Sequence, residues 1–275
     1  MSDATLSPAR RKSRWWKQPR AWLFAYVCLF MLFVLAPLIV VIGASFEPQE
    51  LMRFPPHGFS LRWYARILEG TPFIAAAQNS IIVALIATVG ALILGTPAAY
   101  GIARYEFRGR EAVSAFLNSP LLVPELVMGL AILQILAIMH ASPSIAGLAF
   151  GHLLICLPYV VRTMNAAIRG LDPTVEEAAR NLGANWLQIY TTVVLPAVMP
   201  ALFASGLIAF LMSFDNAVIS LFLVSARTTT LPIEIYNYIQ YNLDPLIAAV
   251  SSILMAISVL IMFVASRFIS LERLK

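Results

Sequence analysis

Six long apolar stretches constrain this sequence more than any other feature. A helix needs roughly 20 apolar residues to cross a bilayer, and each stretch approaches or exceeds that length. The stretches are too long and too uniformly apolar for the alternating strands of a membrane barrel. We therefore predict an all-α membrane protein with six transmembrane helices, at about 21–45, 79–101, 113–139, 144–168, 196–224 and 246–269.

The composition supports the same class. Of the 275 residues 60% are hydrophobic and 12% are charged, whereas a soluble domain carries about twice that charged fraction. We predict one membrane domain at 21–275, preceded by a basic tail at 1–20. The first apolar stretch exceeds the core of about 7–15 residues that is typical of a cleaved signal peptide, so it is expected to remain as a span.

The positive charge is distributed unevenly between the predicted loops. Of the 19 Lys and Arg residues, all but four fall on the side of the N-terminus. The positive-inside rule then places both termini in the cytoplasm, in an inner membrane. The net charge of +5 therefore indicates orientation and not nucleic-acid binding. The four exceptions are Arg53, Arg62, Arg66 and Arg227.

The reactive side chains do not form a recognisable catalytic or metal site. Cys28 and Cys156 both lie inside predicted spans, where packing is the expected role. His140 and His152 are expected to be core or interfacial residues, with a ligand role as the less favoured alternative. We predict a transport protein and not an enzyme.

The loop 171–196 is polar and carries clear helix signals. Asp172-Pro173 is typical of a helix start. Thr174 and Glu177 are also spaced as a capping box. Gly183 is expected to end this helix, because glycine adopts the left-handed conformation that a sharp exit requires.

The predicted short helix has two faces. Glu176 and Arg180 are spaced to pair on one of them. The other is shallow and rich in alanine, which suits either close approach of another protein or a position among the lipid headgroups. It comprises Val175, Ala178, Ala179 and Leu182. Asn185 and Gln188 are spaced to cap a second helix that runs to Pro196.

This loop resembles the EAA loop of ABC-importer permeases. That pattern is EAA, three residues, Gly, nine residues, a β-branched apolar residue, one residue and Leu-Pro. Val193 stands where Ile is more usual. The resemblance implies that the first helix is a coupling helix that docks in a cytoplasmic ATPase. The matching residues are Glu177, Ala178, Ala179, Gly183, Val193, Leu195 and Pro196.

The chain lacks the sequence of an ATPase. Its three lysines, Lys12, Lys17 and Lys275, do not follow glycines as in a phosphate-binding loop. The resemblance therefore implies no cofactor in this chain, with ATP and Mg bound by a partner ATPase. The implied partners are two ATPase subunits, a second permease chain that is related but not identical, an external solute-binding protein and membrane lipid.

Two carboxylates lie inside predicted spans. A charge at mid-bilayer costs about 2.5–3.5 kcal/mol, so Glu125 and Asp215 are functional candidates. Pro120 and Pro124 precede Glu125 and are expected to kink or break that helix. We predict that these two acids, with Asn216, line a substrate path. Each acid could instead pair with Arg162, cap a broken helix or be protonated.

The spanning region resembles the spermidine/putrescine branch of this family. Similar segments are Pro124-Glu125 with the following Leu-Val-Met-Gly-Leu, 213–216, 231–236 and 242–249. Asn216 departs from the second acid that polyamine members often carry. The resemblance implies putrescine or spermidine as substrate, with an opine, 4-aminobutyrate or aminoethylphosphonate as alternatives. An ATP-independent secondary transporter is the rival class, but it would leave the EAA loop unexplained.

The predicted external loops differ in character. The loop 46–78 is rich in proline and is expected to be irregular, with one short helix at 61–68. The loop 225–245 is polar and aromatic. Its Tyr236, Tyr238 and Tyr241 suit either an interfacial belt or contact with a docking protein.

Overall fold

The computed structural model describes residues 18–272, and the side chains of residues 22–263. The predicted tail at 1–20 therefore lies almost wholly outside the described residues. The described helices are α1 (Gln18–Ala44), α2 (Arg62–Leu68), α3 (Pro72–Arg104), α4 (Arg110–Asn118), α5 (Glu125–Ile138), α6 (Ile145–Arg169), α7 (Pro173–Asn181), α8 (Trp186–Gln188), α9 (Leu195–Ala197), α10 (Met199–Phe214), α11 (Val218–Leu223), α12 (Leu231–Tyr241) and α13 (Leu246–Glu272).

The described residues contain four helices that are long and apolar enough to cross a membrane, namely α1, α3, α6 and α13. The number rises to six if each of two bent helix pairs is one span. The all-α prediction is confirmed, and these four helices correspond to the first, second, fourth and sixth predicted spans. α3 begins seven residues before the predicted start at 79.

The third and fifth predicted spans are not single helices. The segment 110–121 and α5 are bent by 99°, around Pro124. The segment 186–197 and α10 are bent by 76° at Val198, and α10 ends at Phe214, well before 224. The predicted break near Pro120 and Pro124 is confirmed. Proline explains it, because the ring removes a backbone donor and disfavours a helical conformation in the preceding residue.

The centre of the bundle is the packing of α3 against α6, with α10 against both. Small residues recur every four positions along one face of α3, at Ala87, Ala91, Gly95 and Ala99, and all four are buried. Small side chains let the helix backbones approach closely, which is how membrane helices gain packing energy. A Cβ placed on Gly95 would lie 2.9 Å from Val160 Cγ1.

The two ends of the bundle carry different connections. One end, which we call the α7 end, holds the C-terminal ends of α3 and α6. The other, the α12 end, holds α2, α12 and the start of α3. There Asn79 Nδ2 donates to the carbonyl of Thr229 at 3.0 Å, and Ser80 Oγ accepts from Leu231 N at 2.8 Å.

The structure differs from the sequence expectation at the α12 end. The short helix predicted at 61–68 is confirmed as α2. In the loop 225–245, which was predicted only to be polar and aromatic, the structure adds the helix α12, and all three tyrosines lie on it. Tyr236 and Tyr241 are exposed, whereas Tyr238 donates to Asp244 Oδ2 at 2.8 Å.

We predict that Gly95→Ala destabilises the bundle, because the new Cβ would lie 2.9 Å from Val160 Cγ1 between α3 and α6. Overpacking of this kind costs about 1–3 kcal/mol. Thermal unfolding in detergent measures the effect. Gly101→Ala is the matched control, since nothing lies within 4 Å of a Cβ at that position. Equal unfolding temperatures for the two variants would contradict the packing argument.

Candidate functional site: the α7 loop and the broken helices

The loop 171–196 begins with the predicted helix. Asp172 is the N-cap of α7, and its side chain accepts from Thr174 N at 3.0 Å. This hydrogen bond lowers the pKa of the Asp172 carboxyl. The predicted capping box of Thr174 and Glu177 is wrong, because Asp172 already occupies the cap. Gly183 has φ +88°, so the predicted glycine exit is confirmed.

Glu176 anchors α7 to the end of α3. Its Oε1 accepts from Arg104 Nε at 2.6 Å, and its Oε2 accepts from Tyr100 Oη at 3.0 Å. Arg104 Nη2 also donates to the carbonyl of Leu171 at 3.0 Å. Glu176 is only 6% exposed. The predicted pairing of Glu176 with Arg180 is therefore wrong: Glu176 faces the bundle and binds a partner 72 residues away.

The opposite face of α7 is open. Val175, Ala178 and Leu182 are exposed, with Leu182 at 89%, and Glu177 beside them is exposed as well. Ala179 lies at the edge and packs against the core. α7 therefore exposes a small, shallow apolar face on one side, while Glu176 on its other side fixes the helix to the bundle.

The second part of the loop is one continuous helical run. Asn185 and Gln188 form the predicted capping box, with bonds of 2.9 and 2.8 Å. A wide π turn follows at 189–194, and Leu195-Pro196 then begins α9. Leu195 is half-buried and Pro196 is exposed, next to the bend at Val198.

Two of the three candidate path residues are in contact. Glu125 is the first residue of α5, directly after the bend, and is half-buried. Its Oε2 accepts from Asn216 Nδ2 at 2.8 Å. Asn216 is buried, and its Oδ1 accepts from Ile219 N at 2.9 Å, at the start of α11. The broken third and fifth spans therefore meet at one polar contact.

Asp215 lies next to this contact but faces elsewhere. It follows the end of α10 and is exposed. Its side chain lines a cleft between α1, α10 and α13, which also contains Asn216, Leu38 and Met255. The proposed pairing of an acid with Arg162 is not formed, because Arg162 Nε donates to Asn118 Oδ1 at 2.8 Å.

His152 is a polar residue of this region that was not predicted to belong to the substrate path. It is a core residue, 1% exposed, and its ring nitrogens lie 2.8 Å from Ser213 Oγ and 3.0 Å from Ser220 Oγ. A signal was present in the sequence, since the two serines flank Asp215-Asn216. Within residues 18–272, no three His, Cys, Asp or Glu side chains are grouped to hold a metal ion.

Comparison with known proteins covers most of the chain. Residues 91–271 match the family described as "Binding-protein-dependent transport system inner membrane component". The chain is 31% identical over 239 residues to the spermidine/putrescine transport system permease protein PotC of Escherichia coli K12, covering 87% of this chain and 90% of that one. It is also 31% identical over 251 residues to the putrescine transport system permease protein PotI of the same strain, covering 89% of each.

The fold also has a solved counterpart. A bacterial ABC transporter involved in the import of the acidic polysaccharide alginate contains a chain with a TM-score of 0.72. The match covers 92% of this chain and 98% of that chain, at 18% identity. The likeness supports the fold alone. Since that transporter handles an acidic polymer, the fold by itself does not determine the charge of the transported molecule.

We predict that Arg104→Ala destabilises the chain by about 3 kcal/mol or more, because it leaves the Glu176 carboxylate buried without its cation. The change should lower the thermal unfolding temperature in detergent. Arg108→Ala, four residues later and exposed, is the matched control. If both variants unfold at the wild-type temperature, Glu176 does not depend on Arg104.

Proposed function

Because the chain belongs to the family of binding-protein-dependent transport system inner membrane components and is a permease component of an ABC importer, we propose that it forms half of the path for a small cationic or nitrogenous solute. The observation that carries this proposal is the contact of Glu125 with Asn216, beside Asp215, where two broken helices meet. Irregular backbone at membrane depth is tolerated where it lines a cavity or is buried in protein.

The proposed topology has six spans, with each bent pair counted as one. One transmembrane domain, 21–275, follows a cytoplasmic tail at 1–20, and both termini lie inside the cell. The α7 end is then cytoplasmic and α7 lies between the fourth and fifth spans. The charge distribution supports this orientation, because Arg104, Arg108, Arg110, Arg169 and Arg180 all lie in or beside the connections at the α7 end.

The α7 loop is the proposed contact with the ATPase. Its exposed face at Val175, Ala178 and Leu182 is shallow and apolar, which suits docking into a groove of another protein. The residues assigned to coupling are Glu177, Ala178, Ala179, Gly183, Leu195 and Pro196. Two ATPase subunits are proposed to bind ATP and Mg. One subunit docks at this loop, and the other docks at the corresponding loop of a second permease.

The second permease is proposed to be a related, non-identical chain. Asp215 opens to a cleft at the edge of the bundle and not to an enclosed channel, so one chain does not complete a path. An external solute-binding protein is proposed to dock at the α12 end. The exposed Tyr236 and Tyr241 on α12 support this position, because aromatic side chains are enriched in protein interfaces.

The proposed substrate is a polyamine such as putrescine or spermidine. Support comes from the acids at the broken helices and from the relatives, since an ammonium group that leaves water needs fixed negative charge nearby. The amide of Asn216 engages Glu125 and leaves Asp215 as the exposed acid. That feature favours a solute with fewer positive charges as the second candidate, such as an opine, 4-aminobutyrate or aminoethylphosphonate.

We expect Glu125→Gln and Asp215→Asn each to raise the apparent KM for putrescine uptake roughly tenfold, since an interaction with an ionised partner contributes about 1.5–3 kcal/mol. The measurement is uptake of labelled putrescine and spermidine by vesicles that contain the assembled importer. Glu106→Gln, an exposed acid in the connection after α3, is the control. Normal uptake by both path variants would refute the assignment.

We expect Gly183→Ala to weaken binding of the ATPase, because an alanine at φ +88° costs about 1–2 kcal/mol and shifts the exit from α7. Gly109→Ala is a closely matched control: Gly109 has φ +89°, and neither glycine has an atom within 4 Å of its added Cβ. Co-purification of the ATPase and ATP-dependent uptake should both fall for Gly183→Ala alone. An equal loss in both variants would indicate strain without a docking role.

A further inference from the structure

A fully buried histidine contacts both α10 and α11, on the two sides of the break at 215–217. His152 lies on α6, one helical turn before Cys156 in the sequence, and both residues face α10. Ser213 is the penultimate residue of α10, and Ser220 lies in the first turn of α11. The imidazole therefore contacts one residue on each side of the break at 215–217, at 2.8 and 3.0 Å.

The approach of α6 to α11 is close because position 151 is glycine. A Cβ there would lie 2.8 Å from Leu223 Cδ1 and 3.0 Å from Ile219 Cγ2. Gly151 therefore lets the backbone of α6 approach α11. The adjacent ring of His152 can then reach Ser220 while it also contacts Ser213.

The hydrogen bonds determine the tautomer of the ring. Ser220 Oγ donates its one proton to the carbonyl of Asn216 at 2.8 Å, so it can only accept from His152. Nε2 therefore carries the hydrogen, and Nδ1 accepts from the hydroxyl of Ser213. A neutral ring satisfies both serines, which is the condition for keeping polar groups in a dry core.

The same bonds fix the orientation of Asn216. The backbone carbonyl of Asn216 accepts a hydrogen bond from Ser220 Oγ, and its side-chain Oδ1 accepts one from Ile219 N at 2.9 Å. With these two atoms fixed, Nδ2 has one direction left, towards Glu125 Oε2. A continuous series of hydrogen bonds therefore runs from Ser213 through His152, Ser220 and Asn216 to Glu125.

We propose that His152 is a positioning residue for the substrate path: it holds α10 and α11 across their break so that Asn216 presents its amide to Glu125. This inference rests on the proposed function, since it assumes that Glu125 and Asn216 line the path. His152 itself is buried and does not touch the substrate.

The first experiment observes the ring directly. The chain contains three histidines, so His57→Gln with His140→Gln leaves His152 as the single signal in ¹⁵N-histidine-labelled full-length protein in lipid. We expect a neutral ring with hydrogen on Nε2, and a shift of its resonances in Ser220→Ala and in Asn216→Ala. A charged ring, an Nδ1–H tautomer, or no response to Asn216→Ala would overturn the proposal.

The second experiment separates positioning from folding. His152→Phe removes both hydrogen bonds and keeps an aromatic ring, but it leaves the buried Ser213 hydroxyl without its bond to His152, whereas Ser220 keeps its bond to the carbonyl of Asn216. His152→Phe combined with Ser213→Ala removes that hydroxyl as well, which costs less stability, and leaves the bond from Ser220 to Asn216 in place. Cys156→Ala is the control, because Cys156 lies on the same face of α6 and donates to the carbonyl of Ala209, away from the break.

Labelled putrescine uptake by the assembled importer is the readout. We expect His152→Phe and the combined variant to raise the apparent KM several-fold with a smaller change in maximal rate. We expect Asn216→Ala to add little further, because both changes act on one contact. Cys156→Ala should transport normally.

The outcomes separate the positioning role of His152 from the assignment of the substrate path. If Glu125→Gln and Asn216→Ala change the KM but His152→Phe and its combined variant do not, the positioning role is wrong and the path stands. Full additivity of His152→Phe and Asn216→Ala would also overturn the role. If Glu125→Gln, Asp215→Asn and Asn216→Ala all leave uptake unchanged, the path itself is wrongly assigned and the role of His152 falls with it.

Discussion

The buried ion pair between Arg104 and Glu176 is the constraint on which the rest of the structure depends. The two side chains are 13% and 7% exposed, so the pair is largely removed from water. Such a pair is weak evidence for added stability, because the desolvation cost offsets the attraction. Its effect is geometric: Arg104 binds both Glu176 and the carbonyl of Leu171, which fixes the start of α7 against the end of α3. Since α3 packs along α6 and α10, α7 is connected through α3 to the centre of the bundle.

The second constraint comes from the bilayer. A broken helix in hydrocarbon leaves backbone groups without partners, and each such group costs several kcal/mol. At the break after α10, side chains provide the missing bonds: Asn216 accepts from Ile219 N, and Ser220 donates to the carbonyl of Asn216. On the proposed path, the polar residues that stabilise the break are therefore the same residues that would make the region polar enough for a charged solute.

Local signals made part of this structure predictable. Asp172, Gly183 and the pair Asn185/Gln188 each act within a few residues, and the helix, turn and cap that they predict are present. The four long spans follow from apolar length alone. Apolar length does not encode direction. The break in the third span was predicted without its angle of 99°, the bend of 76° at Val198 was not predicted, and α12 was missed in a loop defined only as polar and aromatic.

Distant contacts were the other limit of sequence reasoning. Arg180 stands at the favourable i+4 position from Glu176, yet the buried Glu176 pairs with Arg104 from another helix. Spacing along one helix carries no information about a partner on another helix. The position of Glu125 was suspected from its prolines, but its partner Asn216 lies 91 residues away. His152 was expected to be a core or interfacial residue, and it lies in the core. Its role depended on two serines whose positions relative to α6 become defined only when the helices pack.

The asparagine at 216 also determines the resting state of the proposed path. Its amide donates to Glu125 at 2.8 Å, so the contact is complete without a substrate. A carboxylate at 216 would place two like charges at hydrogen-bond distance, and they would require a shared proton or a cation between them. With Asn216 in place, its amide occupies one acceptor site on Glu125 Oε2, while Asp215 stays available as an exposed acid. The proposed path therefore needs no bound cation at this contact, and the remaining acceptor sites of Glu125 stay open to an ammonium group.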